Sequence, residues 1–227
     1  METRKLNPSH DTALTIFVGA SSKATNWENK ETTWSDLLNR CANTTKTKET
    51  LVQYLQMDKA KQSKIKDVGG FVGGYFATNG RRKKEGLIGR TVVTLDADNV
   101  KKDSNIWEGF KATFSFAACI YSTHKHTEEA PRLRIIIPLA DSTNVEQYEA
   151  VARYIADKIG MEYFDPTTFQ ASRLMFWPST PKDVDFFFDW PAGEILDPEE
   201  ILKKYKDWKD VSSWPMHKSE TPEAILY

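Results

Sequence analysis

The nine residues Thr91-Val92-Val93-Thr94-Leu95-Asp96-Ala97-Asp98-Asn99 limit what this chain can fold into more than any other stretch. β-Branched residues suit a pleated, packed surface, so residues 91–98 are predicted as a strand. A period of two puts Val93, Leu95 and Ala97 on one face and Thr94, Asp96 and Asp98 on the other. Two carboxylates then sit side by side at the end of a buried strand, an arrangement that is costly unless a divalent cation lies between them. Magnesium and manganese favour such oxygen ligands and keep places for water and substrate phosphates. The plainer reading is a strand running into an Asp-rich turn at Asn99, and the pair alone does not choose between the two.

The rest of the chain supplies a sheet for this strand and helices to cover it. Strands are expected at Ala13–Gly19 and over residues 69–76, where glycines permit close approach by another backbone or a ligand. Helices are expected at Trp34–Cys41, within 49–66 and at about 105–113. Residues 117–123 and 132–139 read as a hairpin. In residues 144–159, Val145, Tyr148, Ala152, Ile155 and Ile159 share one helical face. Short strands at 173–177 and 184–189 and a helix at about 198–208 follow, giving an α+β fold with a mainly antiparallel sheet. The polar, weakly patterned residues 211–227 read as a linker or tail towards a further C-terminal region.

With 227 residues, 40% hydrophobic and 28% charged, the chain can bury a real core in one or two closely packed domains. Residues 1–19 lack a signal-peptide layout, no stretch is long enough for a bilayer, and Cys41 and Cys119 match no disulfide or zinc spacing. A cytoplasmic protein without a membrane partner is therefore expected. A net charge of −1 neither favours nor opposes a nucleic-acid partner, which needs local positive potential rather than a basic total. Basic residues do cluster, at Lys59, Lys61, Lys64 and Lys66 and at Arg81-Arg82-Lys83-Lys84. Each run alone also suits a solvated surface.

Two more constellations carry polar chemistry. In Ile120-Tyr121-Ser122-Thr123-His124, alternation puts Ser122 and His124 on one face, able to donate hydrogen bonds to phosphate. Across the hairpin Arg132 and Arg134 share a face, and guanidinium forks match phosphate oxygens. Tyr163-Phe164-Asp165-Pro166 places a carboxylate at a turn, leaving it two roles: a third acidic metal ligand, or a cap before proline. Arg173, opening the following strand, suits either a phosphate or a local acid.

Asp96/Asp98 on a strand end, Ser122/His124 on a later strand and Asp165 after an apolar residue resemble, in this order, the motif series of archaeo-eukaryotic-type primases. The flanking Lys66-Asp67-Val68-Gly69-Gly70-Phe71-Val72-Gly73-Gly74 and Ser172-Arg173 are similar to the primase-polymerase branch of phages, plasmids and mobile elements. The similarity spans roughly residues 13–190. It implies an RRM-like antiparallel catalytic sheet intertwined with an N-terminal α/β module over residues 1–210, with a helicase domain often following in the same polypeptide. It also implies template-directed nucleotidyl transfer, by a primase or a DNA polymerase, from nucleoside triphosphates on a single-stranded DNA template and primer. Asp96, Asp98 and Asp165 would hold Mg2+ or Mn2+ in a two-metal mechanism, and His124 and Ser122 would hold the triphosphate with Arg134, Arg173 and Arg132. The two basic runs would track the template backbone.

Two other classes compete. A rolling-circle Rep or relaxase nuclease is imitated by His124-Lys125-His126 and by Tyr154 with Lys158, although Lys125 replaces an apolar residue and the aspartate pair goes unexplained. A non-catalytic RRM-like binding module would use Phe71, Tyr75 and Phe76 to stack bases, but it has no need of three aspartates in this order.

Overall fold

A computed structural model of the chain describes residues 5–220. The N-terminal module runs through β1 (Ala13–Gly19), β2 (Glu28–Thr33), α1 (Trp34–Cys41), β3 (Thr45–Lys46), α2 (Leu51–Gln56), α3 (Lys59–Lys66) and β4 (Gly70–Val72). The predicted helical stretch 49–66 is two helices because each half carries its own start signal. Thr50 and Gln53 form a capping box at α2, and the Asp58 carboxylate accepts from the Lys61 N–H at α3. The second module contains β5 (Gly74–Phe76), β6 (Leu87–Ala97), α4 (Ile106–Thr113), β7 (Cys119–Ser122), β8 (Leu133–Thr143) and α5 (Val145–Ile159). It is followed by β9 (Met175–Phe176), β10 (Ser179–Thr180), β11 (Phe188–Asp189) and α6 (Pro198–Leu202).

These strands form a four-stranded sheet, β2-β1-β4-β9, a five-stranded sheet, β11-β7-β8-β6-β5, and a short β3–β10 pair. Every pairing within the two larger sheets is antiparallel, and β3–β10 is parallel. The run β6-α4-β7-β8-α5, with β6 and β7 flanking β8, has the connectivity of an RRM-like module. The fold is therefore α+β, as the sequence reading expected.

The glycine-rich stretch 69–76 differs from its expectation as one strand. It divides at Gly73, so that β4 belongs to the first sheet and β5 to the second. The Gly73 carbonyl accepts from the N–H groups of Thr91 and Val92 at 3.0 Å each, and a Cβ there would lie 2.8 Å from the Val92 Cβ. A Cβ on Gly70 would collide with the Met175 carbonyl. The close backbone approach predicted for these glycines is what joins the two modules.

Both faces of the five-stranded sheet are buried. Val93, Leu95, Ile135 and Ile137 pack beneath α5, which contributes Val151, Ala152 and Ile155. Val92, Ile136, Cys119 and Tyr121 pack against Trp34, Leu37 and Leu38 of α1 and against Phe71. Each such side chain contributes about 1.5–3 kcal/mol on full burial. Val145, assigned to the apolar stripe by periodicity, lies in the first turn of α5 and is exposed.

Two C-terminal expectations change. The helix expected at 198–208 ends at Leu202, and Tyr205 instead donates its hydroxyl to the Ala150 carbonyl at 2.8 Å. The stretch read as a linker is packed as far as Glu220: Trp214 is 4% exposed in the core, and Glu220 forms two 2.8 Å hydrogen bonds with the buried Arg153. The remainder of that stretch, residues 221–227, lies outside the described residues. Among the described residues no helix is long and apolar enough to cross a membrane.

Candidate functional site

On the face of the second sheet turned away from α5, register aligns Asp96 of β6 with Arg134 of β8, and Arg134 with Tyr121 of β7. This row forms the floor of a cleft of about 450 Å3, walled by residues 170–179 and reached by Lys66 at the end of α3. The Phe176 carbonyl ties wall to floor, accepting from Arg134 Nη1 at 3.0 Å and from the Tyr121 hydroxyl at 3.1 Å. Lys66, Arg82, Lys125, Arg132, Arg134 and Arg173 line the cleft, against the carboxylates of Asp96 and Asp98.

Asp96 is 5% exposed and accepts from Arg134 Nε at 3.0 Å and Nη2 at 3.4 Å, a forked contact. Asp98, one residue past the end of β6, pairs with Arg132 Nη1 at 2.9 Å. Burial raises the Asp98 carboxyl pKa, and the neighbouring Asp96 charge adds to this, while Arg132 and Arg134 pull it back. This is the repulsion expected of carboxylates two residues apart on one face.

β6 is paired with β5 only over its first half, and the turn 165–169 occupies the free edge beside Asp96. The Asp165 N–H donates to the Asp96 carbonyl at 2.9 Å, and the Thr168 hydroxyl accepts from the Asp96 N–H at 2.8 Å. Asp165 therefore adjoins Asp96 through the backbone. Its carboxylate caps the turn, accepting from the N–H and hydroxyl of Thr167 at 2.8 and 2.7 Å, with Arg173 Nη2 at 3.5 Å. Of its two expected roles, the cap is the one this arrangement displays. Among the described residues no group of three acidic, histidine or cysteine side chains is close enough to hold a metal ion. The acidic side chains that line the cleft are Asp96 and Asp98, and carboxylate oxygens are the donors a hard divalent cation takes.

His124 and Ser122, expected on one face, are separated. The strand ends at Ser122, so the alternation that linked them stops there. The Ser122 hydroxyl accepts from the Phe187 N–H at 3.0 Å, anchoring the approach to β11, and does not line the cleft. His124 follows in a turn and does line it, 4% exposed. Its Nδ1 lies 2.9 Å from the Ser179 hydroxyl and its Nε2 lies 3.1 Å from Glu49 Oε1, with the Tyr54 ring at 4.4 Å. Burial lowers the imidazole pKa against the pull of Glu49. For Glu49 burial acts upwards, but hydrogen bonds from Thr47 and His124 outweigh it and leave the carboxyl pKa lowered.

The family model described as the VapE N-terminal domain matches residues 1–217. This chain belongs to the VapE N-terminal domain family. The phage-type primase-polymerase resemblance read from the sequence accords with that assignment. Among solved structures, the AEP domain of the cyanophage S-2L primase-polymerase (PrimPol) is similar at 12% identity, over 85% of this chain and 88% of that chain, with a TM-score of 0.45. A comparison with curated proteins gives no match.

In this VapE N-terminal domain, one residue of each basic run reaches the cleft. Lys66 lies 5.1 Å from the Phe176 ring centroid, and burial, followed by the Arg134 charge, lowers its pKa. Arg82 donates to the Ser172 carbonyl at 2.9 Å, while Lys59, Lys61, Lys64, Arg81 and Lys83 are exposed. Sequence reasoning missed Glu49 and Ser179, which come from separate segments and carry no motif. The nuclease constellation is not brought together: Tyr154 packs against Tyr205, His126 accepts from the Arg132 N–H beside α4, and His124 lies in the cleft. Of the candidate base-stacking rings, Phe71 and Phe76 are buried against Trp177 and Phe17, and Tyr75 is half-buried.

Proposed function

We propose that this domain performs template-directed nucleotidyl transfer, as a DNA primase or polymerase, adding nucleotides from nucleoside triphosphates with Mg2+ or Mn2+. The observation that carries the reading is the Asp96/Asp98 pair at the end of β6, in a cleft whose other charged side chains are the cations Lys66, Arg82, Lys125, Arg132, Arg134 and Arg173. A nucleoside triphosphate is strongly anionic, so such a cleft attracts it. The order of Asp96/Asp98, Ser122/His124 and Asp165 in the sequence supports the same reading.

In this reading Asp96 and Asp98 hold the divalent ions, with Asp165 as the nearest further acid. Bound there, such ions supply charge stabilisation to the attacking and leaving oxygens. Arg132, Arg134 and Arg173 carry forks that suit triphosphate oxygens, and Lys66 adds a point charge from the opposite wall. Ser122 acts at a distance, holding β11 against β7. A single-stranded template and a primer are the partners the reaction requires.

The test incubates wild type and the Asp96→Asn/Asp98→Asn double variant with single-stranded DNA, with and without primer, labelled nucleotides and either metal. Metal-dependent extension lost in the double variant is the expected result. Equal activity in both proteins, or none in either across metals and templates, would overturn it.

A further inference from the structure

Ser179 and His124 meet at 2.9 Å inside the cleft, and His124 meets Glu49 at 3.1 Å on its other side. We infer that the Ser179 hydroxyl is a direct hydrogen-bond donor to the phosphates of the bound triphosphate, and that His124 and Glu49 act through it as positioning residues. This rests on the nucleotidyl-transfer reading for its substrate. It reassigns the hydroxyl contact that the motif series had given to Ser122.

The two ring nitrogens of His124 face different partners. A carboxylate only accepts, so the Nε2 facing Glu49 carries a hydrogen. Both nitrogens are engaged by protein, which leaves the imidazole no free donor for a phosphate. Nδ1 has two options towards Ser179. Unprotonated, it takes the hydroxyl hydrogen; protonated, it donates to the hydroxyl oxygen and releases that hydrogen for another acceptor. The protein's own alternative is the Lys66 carbonyl, 3.4 Å from Ser179 Oγ, which is long for such a bond. A phosphate oxygen in the cleft offers a charged acceptor instead, which makes a stronger bond. The proton that Nδ1 gains comes from solvent, and the negative charge of the bound phosphates, with Glu49, favours the imidazolium against the burial that lowers its pKa in the free protein. The groups facing His124 are Glu49, Tyr54 from α2 and Lys66 from α3, with Lys125 adjacent in sequence.

The geometry is built rather than incidental. β10 lies parallel to β3, with Ser179 opposite Thr45 and Thr180 opposite Lys46. Thr45 and Thr47 donate backbone hydrogen bonds to the carbonyls of Pro178 and Thr180 at 2.9 Å each, and Lys182 donates to the Glu49 carbonyl at 3.0 Å. This short ladder fixes the spacing between Glu49 and Ser179. Thr47 then aims the Glu49 carboxylate, donating its hydroxyl at 2.6 Å.

Calorimetric titration with inorganic tripolyphosphate tests the subsite without requiring polymerase activity, using wild type, Ser179→Ala, Glu49→Gln and the double variant. Nucleotide KM and kcat are measured alongside. The expected result is about tenfold weaker tripolyphosphate binding in Ser179→Ala, the size of one hydrogen bond to a charged group. A similar rise in nucleotide KM is expected, with kcat little changed. Glu49→Gln should weaken binding on its own but add almost nothing to Ser179→Ala, because it acts through that hydroxyl. Unaltered binding in Ser179→Ala, or fully additive effects, would overturn the inference, and thermal melts confirm that each variant is folded. Wild type that binds tripolyphosphate through Ser179 yet extends no primer would count against the polymerase reading alone.

Discussion

Asp98 carries a stability cost that its proposed role explains. Burial and the Asp96 charge raise its carboxyl pKa, so between the unfolded and folded values the folded state binds the extra proton. Stability from this group is therefore present at low pH and lost as pH rises through the folded pKa. Asp98→Asn is expected to raise the melting temperature at neutral pH while abolishing metal-dependent activity. That thermal gain should fade in acid, where wild-type Asp98 is itself protonated; melting curves across pH check both statements. Arg134 predicts the opposite sign. Its fork neutralises the buried Asp96, so Arg134→Met leaves a buried carboxylate without its partner and should cost about 3–5 kcal/mol in denaturant unfolding. At this scale the sequence was most informative about Asp96, Asp98, Arg132 and Arg134, whose strand alternation held. It misled in pairing Ser122 with His124: β7 turns Tyr121 to the cleft and Ser122 away from it, and the strand stops before His124, which a turn brings back to the cleft.

Among the elements, the turn 165–169 has a larger role than its length suggests. It satisfies the half of β6 that β5 leaves bare, through the Asp165 N–H and the Thr168 hydroxyl. Thr168→Val keeps the shape but removes the acceptor for the buried Asp96 N–H. A loss of about 1–3 kcal/mol is expected, with a fall in extension rate as the strand end loosens. Unchanged unfolding and unchanged rate would show that the turn does not hold the strand. Strands and helices with a strong local signal were legible: Ala13–Gly19 and Trp34–Cys41 were read with their observed ends. The division of 69–76 at Gly73 was not, because apolar residues and glycines in one run do not reveal that two sheets share it.

Across the whole molecule, the C-terminal stretch closes over the helical side of the second module. Trp214 enters the core, and Glu220 matches Arg153, whose guanidinium lies 4.5 Å from the Phe169 ring centroid of the turn beside β6. Trp214→Ala is expected to cost about 3–5 kcal/mol in unfolding experiments, whereas a true linker residue would be neutral. The sequence by itself determined the α+β class, the motif order and the facing of the carboxylates along β6, because these depend on local period and residue type. Only the tertiary structure decided that Glu49 and Ser179 hold His124, that Lys66 and Arg82 reach the cleft, and that residues 211–220 pack. Those contacts join segments far apart in the chain through single residues, and no local pattern records such a meeting.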